Sequence, residues 1–348
     1  MEDDTMAVPQ QTPAQAGFAM PAEWEPHSGC LMSWPTRREL WGDRLGLAKA
    51  DYTTVARAIA AFEPLTMVCN PEDAADIRSR CGSAVEPLPV EIDDSWIRDN
   101  GPTFVRNGAG GIAAVNFEFN AWGERWHPHH NDNNVPRAVA DSFGMRTFDA
   151  PLVMEGGAFF VDGEGTLITT EQCLLDPNRN PDLSRDQIEQ AMRDYLGVTT
   201  VIWLPYGHST DIGPAGTDGH IDGVLQYVAP GHVLVEAPSD RSDPEFDRAR
   251  ENLAVLRSAK DASGRSLEIS ILDPGPSSDL AYSNFYLPNG GVIVPIAGGP
   301  QDDPALETIA KLYPDREVVG VPGTTLAFGG GGPHCITQQI PRGPAALV

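Results

Sequence analysis

Apolar positions along this chain keep two rhythms in turn, the three-to-four spacing of an amphipathic helix and the short β-rich runs of strands. "LAKADYTTVARAIAAFE" (47–63) follows the first and "PLTMVCN" (64–70) the second. The succession returns in "SRDQIEQAMRDYLG" (184–197) and "VTTVIWLP" (198–205). There Ser184 and Gln187 form a capping-box pattern, and Gly197 marks a helix stop. A third copy is "DPEFDRARENLAVLRSAKDA" (243–262) with "LEISILD" (267–273), and a fourth is "DDPALETIAKLYP" (302–314) with "REVVGVP" (316–322). Between these last two lies "YSNFYLPNGGVIVPIA" (282–297), read as a strand pair around a "PNGG" turn.

A helix leading into a strand, repeated with hairpin-like strands between, predicts an α/β architecture built from a recurring ββαβ unit. No Pro/Ser linker divides the interior, so residues 17–348 are expected to form a single catalytic domain. Residues 1–16, acidic and then rich in Pro, Gln and Ala, are expected to be a disordered tail; they have neither the basic start nor the apolar core of a secretory signal.

Composition narrows the function classes. With 49 acidic against 24 basic residues the formal charge is -25, which argues against phosphate-driven binding to nucleic acid; the acidity serves solubility or attracts a cationic small molecule. No apolar run approaches the roughly 20 residues of a membrane span. The five cysteines are odd in number and none is paired at CxxC spacing, so neither a disulfide framework nor a zinc site is expected, and a cytoplasmic location fits.

Three stretches combine glycine with titratable groups: "DDSWIRDNGP" (93–102), "TDGHIDG" (217–223) and "GGGGPHC" (329–335). On an extended strand His220 and Asp222 would face one side together, whereas the adjacent His334 and Cys335 would face opposite sides. His220, rather than His334, is therefore the expected partner of a nucleophilic Cys335, which the glycine run would present to a cavity. Trp96 and Asp99, three apart, share a side if the chain makes one turn. Asp99 and Asp222 are then placed to clamp a planar cation while Cys335 attacks its carbon; the competing reading pairs Asp99 with Arg98 or Arg106. "HPHHND" (127–132) lacks a metal-binding spacing, and the glycine run lacks the GKS/T of a phosphate loop, so no metal or other cofactor is expected.

Five stretches, "MPAEWEPHSGCLMSWP" (20–35), "SWIRDNGPTFV" (95–105), "EGGAFFVDGEGTLITTEQCLLDPNRNP" (155–181), "TDGHIDG" and "GGGPHCITQQIP" (330–341), resemble in order the agmatine deiminase branch of the peptidylarginine deiminase family. The resemblance implies a pentein α/β-propeller, five ββαβ units with pseudo-fivefold symmetry. It also implies a metal-free site with Cys335 as nucleophile, His220 as general acid/base, and Asp99 and Asp222 as guanidinium-binding carboxylates. Trp96, Glu155 and Gly332 would complete the substrate contacts, and a homodimer or larger assembly is implied. The reaction implied is hydrolysis of a small alkylguanidine, agmatine first, to N-carbamoylputrescine and ammonia. Amidino transfer to an amine, or deimination of another guanidino compound, are the alternatives. Gly332, Pro333, Gly223 and Asn100 depart from the family pattern, at positions that bear on the far end of the substrate.

Overall fold

In a computed structural model, which describes residues 11–213, 216–275 and 280–347, the strands form five separate sheets. The expected helix-to-strand crossovers are all present. Leu45–Ala60 joins His27–Ser33 to Leu65–Cys69, Arg185–Leu196 joins Thr166–Thr170 to Thr200–Leu204, and Glu245–Ser258 joins His232–Glu236 to Glu268–Leu272. Asp302–Leu312 joins Gly291–Ile296 to Glu317–Pro322; a fifth crossover, outside the sequence expectation, is Val135–Ser142, which joins Ile112–Glu118 to Thr147–Val153. In every case the two strands pair in parallel.

Four sheets also carry an antiparallel partner on the other side. These are Thr103–Asn107 against Ile112–Glu118, Phe159–Val161 against Thr166–Thr170, Leu225–Ala229 against His232–Glu236, and Thr337–Pro341 against His27–Ser33. This last pairing ties the C-terminal strand to the second strand of the chain, which follows Phe18–Ala19. The fifth sheet departs from the sequence expectation: the "PNGG" hairpin is reduced to the single bridge Tyr286–Ile293. Pro288 has no N–H to extend a ladder, and Asn284 is drawn into a turn by its N–H bond to Ala281 O.

Local rules explain the helices. Leu45–Ala60 buries Ala48, Tyr52, Val55, Ala56 and Ile59, one stripe at helical spacing, each large side chain contributing about 1.5–3 kcal/mol. Arg185–Leu196 carries the expected capping box, and Gly197 ends it at φ 70°, ψ 20°. The core around the first helix continues through Trp34, Trp41 and Trp96 to Cys335, so the site is built against packed aromatic surface.

Residues 1–10 of the expected tail lie outside the described residues. Residues 11–16 are described, and Ala14 N–H donates to Asp194 O at 3.0 Å, which docks that part against Arg185–Leu196. Among the described residues no helix is long and apolar enough to cross a membrane.

Candidate active site

A cavity of about 450 Å³ opens among the loops that connect the sheets, and Trp96, Asp99, Asp222, Gly332 and Cys335 all line it. Its wall draws on residues from Leu40 to Cys335, so most of the chain must fold before it exists. His220 and Glu155 are buried next to the two aspartates, His220 within 4 Å of both.

Trp96 and Asp99 reach the cavity from the single turn Ile97–Asn100, which closes through Asp99 N–H to Trp96 O at 2.9 Å and stops before Pro102. Trp96 is stacked on Trp41, ring centroids 5.9 Å apart. Asp99 is fixed at both oxygens, Oδ1 accepting from Gly157 N–H and Oδ2 from Trp122 Nε1, each at 2.9 Å. The turn that delivers Trp122 is strained: Ala121, Trp122 and Glu124 all have φ between 53° and 60°. Non-glycine residues held there cost of order 1–3 kcal/mol each, which is tolerated where a site over-determines them. Neither competing arginine pairs with Asp99: Arg98 bonds Glu23, and Arg106 bonds Glu25.

His220 and Asp222 do converge, yet not on a strand. Residues 217–224 form an irregular turn, in which Asp218, Gly219 and Gly223 have φ of 65°, 96° and 91°. The extended geometry expected from the sequence is broken by these left-handed residues, and the turn itself brings the side chains together. His220 Nδ1 is 3.9 Å from Asp99 Oδ1 and 3.8 Å from Asp222 Oδ1. On its far side Nε2 lies 3.8 Å from Glu155 Oε2; neither atom has a hydrogen-bond partner among the described residues. Glu155 is held through Oε1 by Arg179 Nε at 2.6 Å.

Cys335 Sγ stands 3.2 Å from Asp222 Oδ2, and the amide nitrogen of Asn284 donates to it at 3.3 Å. The neighbouring His334 turns away from the thiol, as expected, and meets Asp222 Oδ2 through Nδ1 at 2.9 Å. The glycines next to these groups are there for close approach. A Cβ on Gly332 would stand 2.6 Å from Asn284 Oδ1, and one on Gly331 would stand 2.9 Å from Cys335 Sγ. At Gly157 a Cβ would come within 2.6 Å of His220 Nδ1 and 2.8 Å of Asp99 Oδ1. Backbone lies against the reacting groups because no side chain fits.

Burial, and then the charges of Asp222 and Asp99, push the Cys335 thiol well above its ordinary range. Burial also lifts the Asp99 carboxyl to about 6 against the pull of His220, with Asp222 and Glu155 adding to the rise. Burial works against the imidazolium of His220, but Asp99, Glu155 and Cys173 hold it well above the usual histidine value. Asp222, opposed by burial, stays below the usual carboxylate range through His334 and His220. Glu155, likewise buried, is held at about 2 by Arg179. The arrangement interleaves carboxylates with the imidazoles of His220 and His334 and the Arg179 guanidinium, and presents two of those carboxylates to a thiol.

Cys173, although buried within 4.8 Å of His220 and Glu155 donor atoms, does not line the cavity. The residues that sequence reasoning missed are Trp122, Gly157, Asn284, Arg179, Glu23 and the structural use of His334. "EWEP" and "HC" fell within quoted motifs, but no spacing relates residues 23 and 334.

A family model described as Porphyromonas-type peptidyl-arginine deiminase matches residues 19–341. The chain belongs to this family. The agmatine deiminase of Stutzerimonas stutzeri is 40% identical over 367 residues, covering 97% of this chain and 99% of the relative. The solved agmatine deiminase of Enterococcus faecalis superposes with a TM-score of 0.90 at 35% identity, covering 96% of this chain and 99% of that one. A solved dimethylarginine dimethylaminohydrolase, 15% identical with a TM-score of 0.52, covers 90% of this chain and all of that one, and shares the α/β fold alone.

Proposed function

We propose that this protein is an agmatine deiminase, hydrolysing agmatine to N-carbamoylputrescine and ammonia through a covalent thiouronium on Cys335. The observation that carries this reading is the approach of Asp222 to Cys335 Sγ at 3.2 Å, with Asp99 lining the same cavity. A guanidinium held by these carboxylates puts its carbon before the sulfur. The family relatives support the same reading.

The cavity wall also supports a cationic tail. Among its described residues there is no Arg or Lys to receive an α-carboxylate. Asp94 is already paired with Arg37 at 2.7 Å. Asp211 has no basic partner among the described residues; burial and then Asp222, against His220, lift it to about 7. It is the carboxylate free to meet the far amine.

In the free enzyme the thiol is neutral and His220 is an imidazolium. The arriving cation offsets the carboxylate charge, so the thiol releases its proton to solvent and the thiolate attacks the guanidinium carbon. His220 gives its proton to one nitrogen of the tetrahedral adduct, the C–N bond breaks, and ammonia leaves. Neutral His220 then takes a proton from water as the oxygen bonds to carbon; the C–S bond breaks as the new hydroxyl gives its proton to solvent, and the ureido product departs from the thiolate. Glu155, braced by Arg179, steadies His220 through both changes of charge.

The described residues are read as one catalytic domain, because the cavity takes its lining from Leu40 to Cys335. The five sheets are read as the five units of a pentein propeller around that cavity. Five buried free thiols support a cytoplasmic enzyme, and the family resemblance supports a homo-oligomer. Ammonia release from agmatine, arginine and 4-guanidinobutyrate, without added amine, tests the reaction. A better kcat/KM for either competitor overturns the substrate, and a requirement for added amine overturns hydrolysis.

A further inference from the structure

Behind the carboxylate that meets Cys335 runs a line of buried charges. His334 Nδ1 is 2.9 Å from Asp222 Oδ2, and its Nε2 is 2.9 and 3.2 Å from the two oxygens of Glu23. A neutral imidazole carries one N–H and donates to one acceptor; a ring whose nitrogens both face carboxylates must carry two protons and a positive charge. Glu23 is held in turn by Arg98 Nη1 at 2.9 Å. Arg98 also anchors the nucleophile's backbone: its N–H donates to Cys335 O and its Nε to His334 O, both at 3.2 Å. From the cavity inward the charges therefore alternate, Asp222 negative, His334 positive, Glu23 negative, Arg98 positive, and all four side chains are at most 5% exposed. In so dry a place, removing one member leaves its neighbour's charge without compensation.

We propose that His334 is a positioning residue for the deimination site, an imidazolium braced by Glu23 that keeps Asp222 ionised and its free oxygen turned toward the substrate. The inference rests on the deiminase reading above. Asp222 Oδ2 is occupied by His334 and the thiol, which leaves Oδ1, 3.8 Å from His220 Nδ1, as the oxygen available to a guanidinium. The neighbouring histidine thus serves the nucleophile's partner, while the nucleophile itself points the other way.

The charged groups facing His334 are Asp222, Glu23 and Arg98. Those facing Asp222 are His334, His220, Cys335, Asp99 and Asp211, and those facing Glu23 are Arg98, His334 and His27. Without the imidazolium, Asp222 keeps His220 as its one cation and gains nothing against Asp99 and Asp211, so it takes up a proton at higher pH. The two clamp carboxylates then protonate together.

The test compares wild type with His334→Gln and Glu23→Gln, by the pH profile of kcat/KM for agmatine and by NMR of the ¹⁵N-labelled histidine rings. The expected wild-type spectrum contains a doubly protonated ring that vanishes in His334→Gln and titrates at lower pH in Glu23→Gln. In both variants the acid limb of kcat/KM should move up by about one unit and steepen, so that the loss relative to wild type is approximately tenfold larger at pH 6 than at pH 8. Loss by one factor at every pH, or a neutral ring, overturns the inference. If His334→Gln does not fold, Glu23→Gln carries both readouts. A wild type that releases no ammonia sinks the deiminase reading instead, and the NMR result still decides the charge on His334.

Discussion

Cys335 Sγ and Asp222 Oδ2, separated by 112 intervening residues in sequence, meet at 3.2 Å, a contact between a thiol and an anion. Such a pair is unfavourable for a thiolate and favourable for a bound cation. The resting site is therefore charged for its substrate rather than for its nucleophile.

One consequence concerns the free thiol. Alkylation of Cys335 by iodoacetamide should be slow at pH 7–8 and rise only well into the alkaline range, since burial, Asp222 and Asp99 all oppose the thiolate. Rate against pH, followed on the Cys335 peptide, checks this. A thiol that titrates below its ordinary value contradicts the account.

The clamp sets the acid side of activity. Asp99 must be ionised to hold a guanidinium, and its carboxyl is raised to about 6. On that account kcat/KM for agmatine, which already rises with pH because the resting thiol must lose a proton, falls with added steepness as the pH drops through about 6. A profile flat down to pH 5 would remove Asp99 from the role.

Gly157→Ala should lower kcat by about a hundredfold, with the fold intact by circular dichroism. The added Cβ falls between His220 Nδ1 and the oxygens of Asp99 and Asp222. Unchanged kcat would mean that these three groups do not act together.

On the cavity wall, Asp211→Asn should raise KM for agmatine about tenfold, as expected for loss of a partly buried charge contact. Butylguanidine, which lacks the amine, should be affected little. Equal effects on both compounds would place Asp211 outside substrate recognition.

Glu155→Gln leaves the buried Arg179 guanidinium with Asp218 as its remaining carboxylate, a change worth about 1.5–3 kcal/mol of stability. Because Glu155 is lowered to about 2 when folded, its contribution is complete above the unfolded value of 4.5 and disappears as the pH falls toward 2. The difference between wild type and variant in urea denaturation should shrink over that interval. A constant difference would mean that the Glu155 charge is not its source.

Much of this site was legible from short motifs. Asp99, His220, Asp222 and Cys335 each sit in a glycine-bearing stretch, and one turn does bring Trp96 and Asp99 to the same side. The reason given for His220 and Asp222 was wrong in mechanism, because Gly219 and Gly223 convert the strand into a turn. The supporting residues were hidden for a different reason. Glu23 and His334 stand 311 positions apart, and Asn284 and Cys335 stand 51 apart. Such contacts join segments that are far apart in the chain and meet only in the folded molecule, which no local pattern encodes. The helices were clearer, since an apolar stripe and a capping box act within one element. The hairpin shortened at Pro288 shows the limit: its turn is legible, whereas the missing Pro288 N–H and the turn at Asn284 cut its ladder to one bridge.

The most direct measurement is the mass of the acid-quenched enzyme during turnover of agmatine, followed by peptide mapping. The account expects a species heavier by agmatine less ammonia, localised to Cys335 and absent in Cys335→Ala, whose turnover falls by roughly four or more orders of magnitude, while Cys173→Ala retains most activity. An adduct on Cys173, or continued turnover by Cys335→Ala, would contradict it.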